Sequence, residues 1–301
     1  MIKQNRSVKA VCGGKNAEEN LHAKTQFTAK KTETDIKNMQ YILVTGAYGG
    51  MGRATVQLLK KQGFFVFALD RKIGEAEENV FPIEADITDE SSLARAAETI
   101  KKKTDALFAI VHYAGIYMLD SLAEIDRESF ERIFRINLFG AFLVNKTFLP
   151  FLRKGGRIVI TTSELAPLDP LPFTGLYAVT KSALDKYAYS LRMELQLLGI
   201  SVSVLRAGAV KTDMLGVSTS ALDVFCEKTK LYKCNADRFK KIVSRVEAKN
   251  IEPEKIAAKT VKIVMKKSPA FAYAINRNPL LRLFGLLPKR IQFKVIELVL
   301  K

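Results

Sequence analysis

The chain of 301 residues has a formal charge of +17, and the excess is unevenly placed: residues 1–39 hold 8 Lys+Arg against 4 Asp+Glu, residues 40–226 hold 21 against 21, and residues 227–301 hold 19 against 6. A composition 48% hydrophobic and 26% charged excludes a disordered or collagen-like chain. Three scattered cysteines, Cys12, Cys226 and Cys234, and two histidines, His22 and His112, exclude a disulfide framework and a zinc or His-rich centre, so no metal is expected. No apolar run reaches the roughly 18 residues of a spanning helix, and the polar N-terminus lacks the apolar core of a secretory signal. The expectation is a reduced, soluble, cytoplasmic protein.

Residues 1–39 show neither a helical nor a strand period and read as a flexible polar tail, in which Cys12 is inert for want of a resolving partner. Strand-length apolar runs then recur at Tyr41–Val44, Phe64–Leu69, Ala106–Val111, Arg157–Ile160 and Val202–Leu205. Helical spacing lies between them; from Arg53 to Lys61, Val56, Leu58 and Leu59 fall opposite Lys60 and Lys61. Buried strands alternating with amphipathic helices predict an α/β fold with a doubly wound, Rossmann-type parallel sheet, which binds ligands beyond the carboxyl ends of its strands.

Thr45-Gly46-Ala47-Tyr48-Gly49-Gly50-Met51-Gly52 follows the first strand and opens the first helix. Glycines there permit a sharp turn and close approach of backbone N–H groups to a pyrophosphate. Asp70 ends the second strand 18 residues after Gly52, where a carboxylate accepts hydrogen bonds from the adenosine ribose. That charge repels a 2′-phosphate and favours NAD; Arg71 and Lys72 partly offset it, so NADP stays open. Asp86, before Ile87, suits either the adenine amine or an N-cap for the helix near Asp89. Further on, Tyr177 and Lys181 stand four residues apart on one helix face, where a cation beside a phenol lowers its pKa and makes a proton-transfer pair.

The glycine turn, Asp70, Asn137, Ser163, Tyr177 and Lys181, in that order and at these separations, closely resemble the short-chain dehydrogenase/reductase family over roughly residues 40–276. The resemblance implies a single doubly wound domain with a seven-stranded parallel sheet, assembled as a homodimer or homotetramer. It implies Tyr177 as general acid/base and Lys181 as ligand of the nicotinamide ribose. Ser163 would hold the substrate oxygen, and Asn137 a water that links Lys181 to solvent. By the same resemblance the dinucleotide is bound by Thr45, Gly46, Tyr48, Gly50, Met51, Gly52, Asp70, Arg71, Asp86, Ile87, Ala114, Gly115, Tyr177 and Lys181. Gly208, Val210 and Thr212, in a turn similar to PGxVxT, complete that set.

Several positions depart from the family pattern. His112-Tyr113-Ala114-Gly115 replaces Asn-Asn-Ala-Gly, with His112 read as structural, and Ala207 replaces a proline. Ser163 lies 14 residues before Tyr177, one more than the family spacing, which leaves Thr162 and Glu164 as competitors for its place. Gly49 beside Gly50 also fits TGxxGxxG, the pattern of nucleotide-sugar epimerases.

The lid is expected at residues 213–239, with Met214, Leu215, Val217, Leu222, Val224 and Phe225 as an apolar inner face for a lipophilic substrate, and a last strand at Ala270–Ile275. Residues 277–301 read as a basic amphipathic helical extension whose Arg290, Lys294, Glu297 and Lys301 form one polar stripe. Its apolar remainder needs the body, a second subunit or an anionic membrane surface to cover it. Nucleic acid is excluded for want of a reading motif. The functional expectation is an NAD(P)-dependent oxidoreductase of a secondary alcohol and its ketone, steroid- or retinoid-like through a general likeness to hydroxysteroid dehydrogenases. A catalytically degenerate cofactor-binding protein and a nucleotide-sugar epimerase are the alternatives.

Overall fold

A computed structural model describes residues 39–246 and 250–301, with the side chains of residues 213–219 and 244–246 excepted. The expected tail, with Cys12 and His22, lies outside what is described, as do the side chains of Met214, Leu215 and Val217. Seven strands, β1 (Tyr41–Thr45), β2 (Phe65–Asp70), β3 (Val80–Glu84), β4 (Leu107–His112), β5 (Leu152–Ser163), β6 (Ser201–Ala207) and β7 (Ala272–Ile275), form one sheet in the order β3-β2-β1-β4-β5-β6-β7. All the pairings are parallel.

Alternation along each strand builds two cores. Leu43, Phe67 and Ile110 point to the face covered by helices α2 (Glu90–Lys101), α4 (Gly140–Phe148) and α5 (Gly175–Leu195). Ile42, Val44 and Val66 point to the other face, under α1 (Gly50–Lys61) and α8 (Pro253–Met265). Burial on both sides explains why these strands read as continuous apolar runs. Each fully buried Leu, Ile or Val contributes about 2 kcal/mol of transfer free energy.

Between β4 and α4 come α3 (Arg127–Phe134) and one turn of π-helix, Arg135–Phe139. After β6, over the stretch where a lid is expected, come two helices, α6 (Asp213–Lys228) and α7 (Lys233–Val246). Leu222 and Phe225 do point inward, but Val224 is exposed. Two last helices follow β7, α9 (Pro279–Gly285) and α10 (Lys289–Leu300), with α10 packed against α7.

Candidate active site

The glycine turn crosses from β1 into α1, and its three indispensable glycines are distinguishable by space. A Cβ on Gly46, which sits at φ +65°, would lie 2.6 Å from Ala114 N; one on Gly50 would lie 2.6 Å from Thr212 Cγ2; one on Gly52 would lie 1.9 Å from Gly46 O. A Cβ on Gly49 would meet Gly46 O at an ordinary 3.5 Å. The required set therefore follows TGxxxGxG, not the epimerase pattern. The same tight contacts draw Ala114 and Thr212 onto the turn.

Asp70, at the end of β2, accepts from Tyr48 N through Oδ2 (3.0 Å) and from Arg71 N through Oδ1 (2.8 Å). It thus holds the turn from beneath while standing at its rim, and Arg71 is exposed beside it. Asp86 is one strand away, and its Oδ1 accepts from Thr88 N and Oγ1, both at 2.8 Å. The N-cap of α2 is Asp89, not Asp86. Ile87 is buried beneath Gly140.

Asn137 lies in the π-turn, a local widening of the helix that re-aims a side chain. Its Oδ1 accepts from Ile116 N (2.8 Å) and its Nδ2 donates to Ile116 O (2.9 Å) and Thr180 Oγ1 (3.1 Å). The amide thereby ties the segment after β4 to α5. A Cβ on Gly115 would stand 3.1 Å from Asn137 Oδ1 and 3.5 Å from Lys181 Nζ, so these two groups flank one point of the cleft.

Tyr177 and Lys181 project from α5 beside the end of β5. Ser163 is the last residue of β5; its Oγ accepts from Leu165 N (3.2 Å) and stands close enough to the Tyr177 hydroxyl to pull that phenol's pKa down. Its two competitors are turned elsewhere: Thr162 Oγ1 donates to Asp185 Oδ1 (3.2 Å), and Glu164 Oε2 accepts from Asn278 N (2.6 Å). Lys181 Nζ donates to Thr161 O (3.3 Å) and lies 5.7 Å from the Tyr177 ring centre.

The electrostatics reverse one expectation. Tyr177 is partly exposed as a residue but its hydroxyl is surrounded by protein, and burial raises its pKa, with Tyr117 adding to the rise and Ser163 opposing it. Burial pushes Lys181 down to about 8. Desolvation of both groups outweighs the pair attraction that helix spacing alone predicts.

The departures at residues 112 and 113 are answered by new partners. His112 Nε2 meets Asn145 Oδ1 at 2.9 Å, and burial lowers its pKa to about 4. The Tyr113 hydroxyl meets Thr55 Oγ1 at 2.8 Å and Thr260 Oγ1 at 2.5 Å, joining β4 to α1 and α8. Ala207 is held as part of β6, and Gly208 N beyond it donates to Ile275 O (3.0 Å). Val210 bridges Ile251, and Thr212 caps α6 against the glycine turn.

Sequence reasoning missed three parts of the cleft. Tyr117 lies 4.9 Å, ring centre to ring centre, from Tyr177. Phe173, at φ +63°, sets its ring 4.6 Å from Phe225, 5.3 Å from Tyr232 and 5.2 Å from Phe239. A non-glycine residue in that conformation is strained by about 1 kcal/mol or more and marks a constrained site. The Glu124 carboxylate accepts from Thr229 Oγ1 (2.5 Å), Lys230 N (2.8 Å) and Leu231 N (3.1 Å), and Lys228 pairs with Asp120 at 3.0 Å. These bonds fasten the connection between α6 and α7 to the segment after β4. No motif marks them, because their partners are about 105 residues apart in the chain.

Residues 40–223 match the family model described as short chain dehydrogenase. A 3-ketodihydrosphingosine reductase of Bacteroides thetaiotaomicron is 28% identical over 77% of this chain and 86% of its own length. Estradiol 17-beta-dehydrogenase 2 of Mus musculus is 33% identical over 58% of this chain and 49% of its own length. Among solved structures, a 3-ketoacyl-(acyl-carrier-protein) reductase from Brucella melitensis complexed with NADH superposes with a TM-score of 0.65 at 20% identity, covering 78% of this chain and 96% of that one.

Proposed function

The chain belongs to the short-chain dehydrogenase family, whose members are oxidoreductases, and on that premise we propose that it interconverts a lipophilic secondary alcohol and its ketone with a nicotinamide dinucleotide. The observation that carries this reading is the grouping of Ser163, Tyr177 and Lys181, with Tyr117 linking the Tyr177 ring to the apolar cluster of Leu119, Phe173, Leu222 and Phe225. The glycine turn at the carboxyl end of β1, with Asp70 bonded to its Tyr48 N–H, would hold the dinucleotide. When bound it supplies the two-electron transfer at the carbinol carbon.

The chain's own residues manage orientation and the proton. Ser163 donates to the substrate oxygen and fixes it against the Tyr177 hydroxyl. With its pKa raised, Tyr177 is protonated at neutral pH and is set to give its proton to the oxygen of a ketone undergoing reduction. In the opposite direction it must first lose that proton, which Lys181, charged below about pH 8, favours from behind. Asn137 clamps Ile116 and Thr180, and so holds the floor on which Lys181 rests.

Asp70 at the rim favours NAD over NADP. The relatives named as a ketodihydrosphingosine reductase and an estradiol dehydrogenase support a lipophilic substrate. Exposed Phe130, Phe139, Phe142 and Tyr189 on α3 to α5 support self-association as a dimer or tetramer.

The test is NADH and NADPH absorbance with a panel of long-chain and steroidal ketones, wild type against Tyr177→Phe. The variant is expected to bind the dinucleotide normally and to lose about 10²–10⁴-fold in kcat. Undiminished turnover would overturn the mechanism. Asp70→Ala is expected to move the preference toward NADPH.

A further inference from the structure

The two last helices carry an exposed apolar face that the chain does not cover. Leu283 and Leu286 at α9 are 64% and 81% exposed, and Phe293 and Leu298 on α10 are 70% and 84% exposed. Their opposite faces are engaged: Leu281 and Phe284 of α9 line a small cavity with Leu165, Leu168 and Leu171, in the segment between Ser163 and Tyr177. On α10, Ile296 and Leu300 join the α6–α7 cluster of Phe225, Ala236 and Phe239. Leu300 O also accepts from Asn235 Nδ2 (2.6 Å) on α7. The pair therefore braces the segment between Ser163 and Tyr177 on one side and the α6–α7 cluster on the other, and turns leucines and a phenylalanine outward.

Charge decides what fits that face. Arg282, Arg290 and Lys294 are exposed there and are in no ion pair among the described residues, while Lys289 pairs with Asp169 and the lone acid of the segment, Glu297, pairs with Lys301. A second copy docking through the same patch about a two-fold axis would bring these cations against themselves. The chain's own residues 1–39, with 8 basic against 4 acidic residues, bring no matching counter-charge. An anionic lipid surface supplies both the negative charge and an apolar layer shallow enough for leucines to enter. Among the described residues no helix is long and apolar enough to cross a membrane, which fits attachment at the surface and not a span.

We propose that α9 and α10 form a peripheral docking face for anionic membranes, holding the mouth of the substrate cleft against the bilayer. Attachment is read without turnover, so it stands or falls apart from the catalytic reading.

The test is sedimentation of the full chain with vesicles of phosphatidylcholine alone, or of phosphatidylcholine with about one-third phosphatidylserine. Wild type is expected to pellet with the anionic vesicles only, and to be released by salt. Arg290→Gln with Lys294→Gln is expected to weaken binding by about fivefold per charge removed. Leu286→Gln with Leu298→Gln is expected to weaken it too, with an unchanged circular dichroism spectrum and unchanged dinucleotide binding. Wild type that stays in the supernatant with both vesicles, or variants that pellet as wild type does, would overturn the proposal. So would a leucine variant that converts a dimer to a monomer while binding vesicles normally, since a second copy would then be the occupant.

Discussion

The sheet and the C-terminal helix pair are both rich in leucine, isoleucine and valine, yet they use them in opposite ways. In β1, β4 and β6, Ile42, Val44, Ile110 and Val202 are wholly buried, and the surrounding residues 40–226 are electrically balanced. In the twelve residues of α10 only Gln292 and Leu300 are buried, within a quarter of the chain that holds 19 basic residues against 6 acidic. Hydrophobic composition alone does not report a core. What separates the two regions is whether the apolar positions meet a second layer of the same chain.

That contrast predicts graded effects. The largest belong to the body: Gly52→Ala, which sets a Cβ against Gly46 O, is expected to cost about a hundredfold in kcat/KM through displacement of the cofactor turn. Gly49→Ala, with ordinary room, is expected to remain near wild type, and equal losses would erase the distinction between the two glycines. Next comes the buried pair of Asp185 with Arg206, joined at 2.7 Å. Asp185→Ala strands the guanidinium and is expected to cost about 3 kcal/mol, read as the urea midpoint. A smaller effect is visible as pH dependence. His112 titrates near 6.5 when unfolded and about 4 when folded, so the unfolded state binds the extra proton in between and stability falls as pH drops through that window. His112→Asn is expected to flatten that slope; a slope unchanged in the variant would remove His112 as its source. Smallest is Leu298→Gln, expected to change thermal stability by no more than about 0.5 kcal/mol and turnover of a soluble ketone not at all. A large loss there would mean that the C-terminal face belongs to the core after all.

How far the sequence was legible follows from the range of the forces involved. The buried strands were readable because both faces demand apolar residues, though β5 begins earlier and runs on to Ser163, beyond the apolar stretch Arg157–Ile160. Short β3 and the π-turn at Asn137 carry no periodic signature, and only the family pattern pointed to Asn137. The glycine turn was readable, but which glycines are obligatory required the neighbouring backbone of Ala114 and Thr212. Spacing placed Tyr177 beside Lys181 correctly and misjudged the direction of the tyrosine's pKa, because desolvation depends on everything that closes around the hydroxyl. Phe173 and Glu124 were invisible for the same reason: Phe225 of α6 and Thr229 just after it meet them only in the fold.

The hydroxyl cluster of Thr55, Tyr113 and Thr260 has a consequence for the order in which the molecule is made. Thr260 follows Tyr113 by 147 residues, and α8, which carries it, packs against α1 to complete one face of the sheet. A chain growing from its N-terminus therefore synthesises the cofactor turn early and finishes its support late. Until α8 has emerged, Val56 and Leu59 lack their cover from Ile256 and Val261. Such long-range closure slows folding and leaves an apolar surface open to aggregation in the meantime. Nascent chains ending before Pro253 are expected to be protease-sensitive throughout the first half of the sheet, with resistance appearing abruptly once residue 265 is clear of the ribosome.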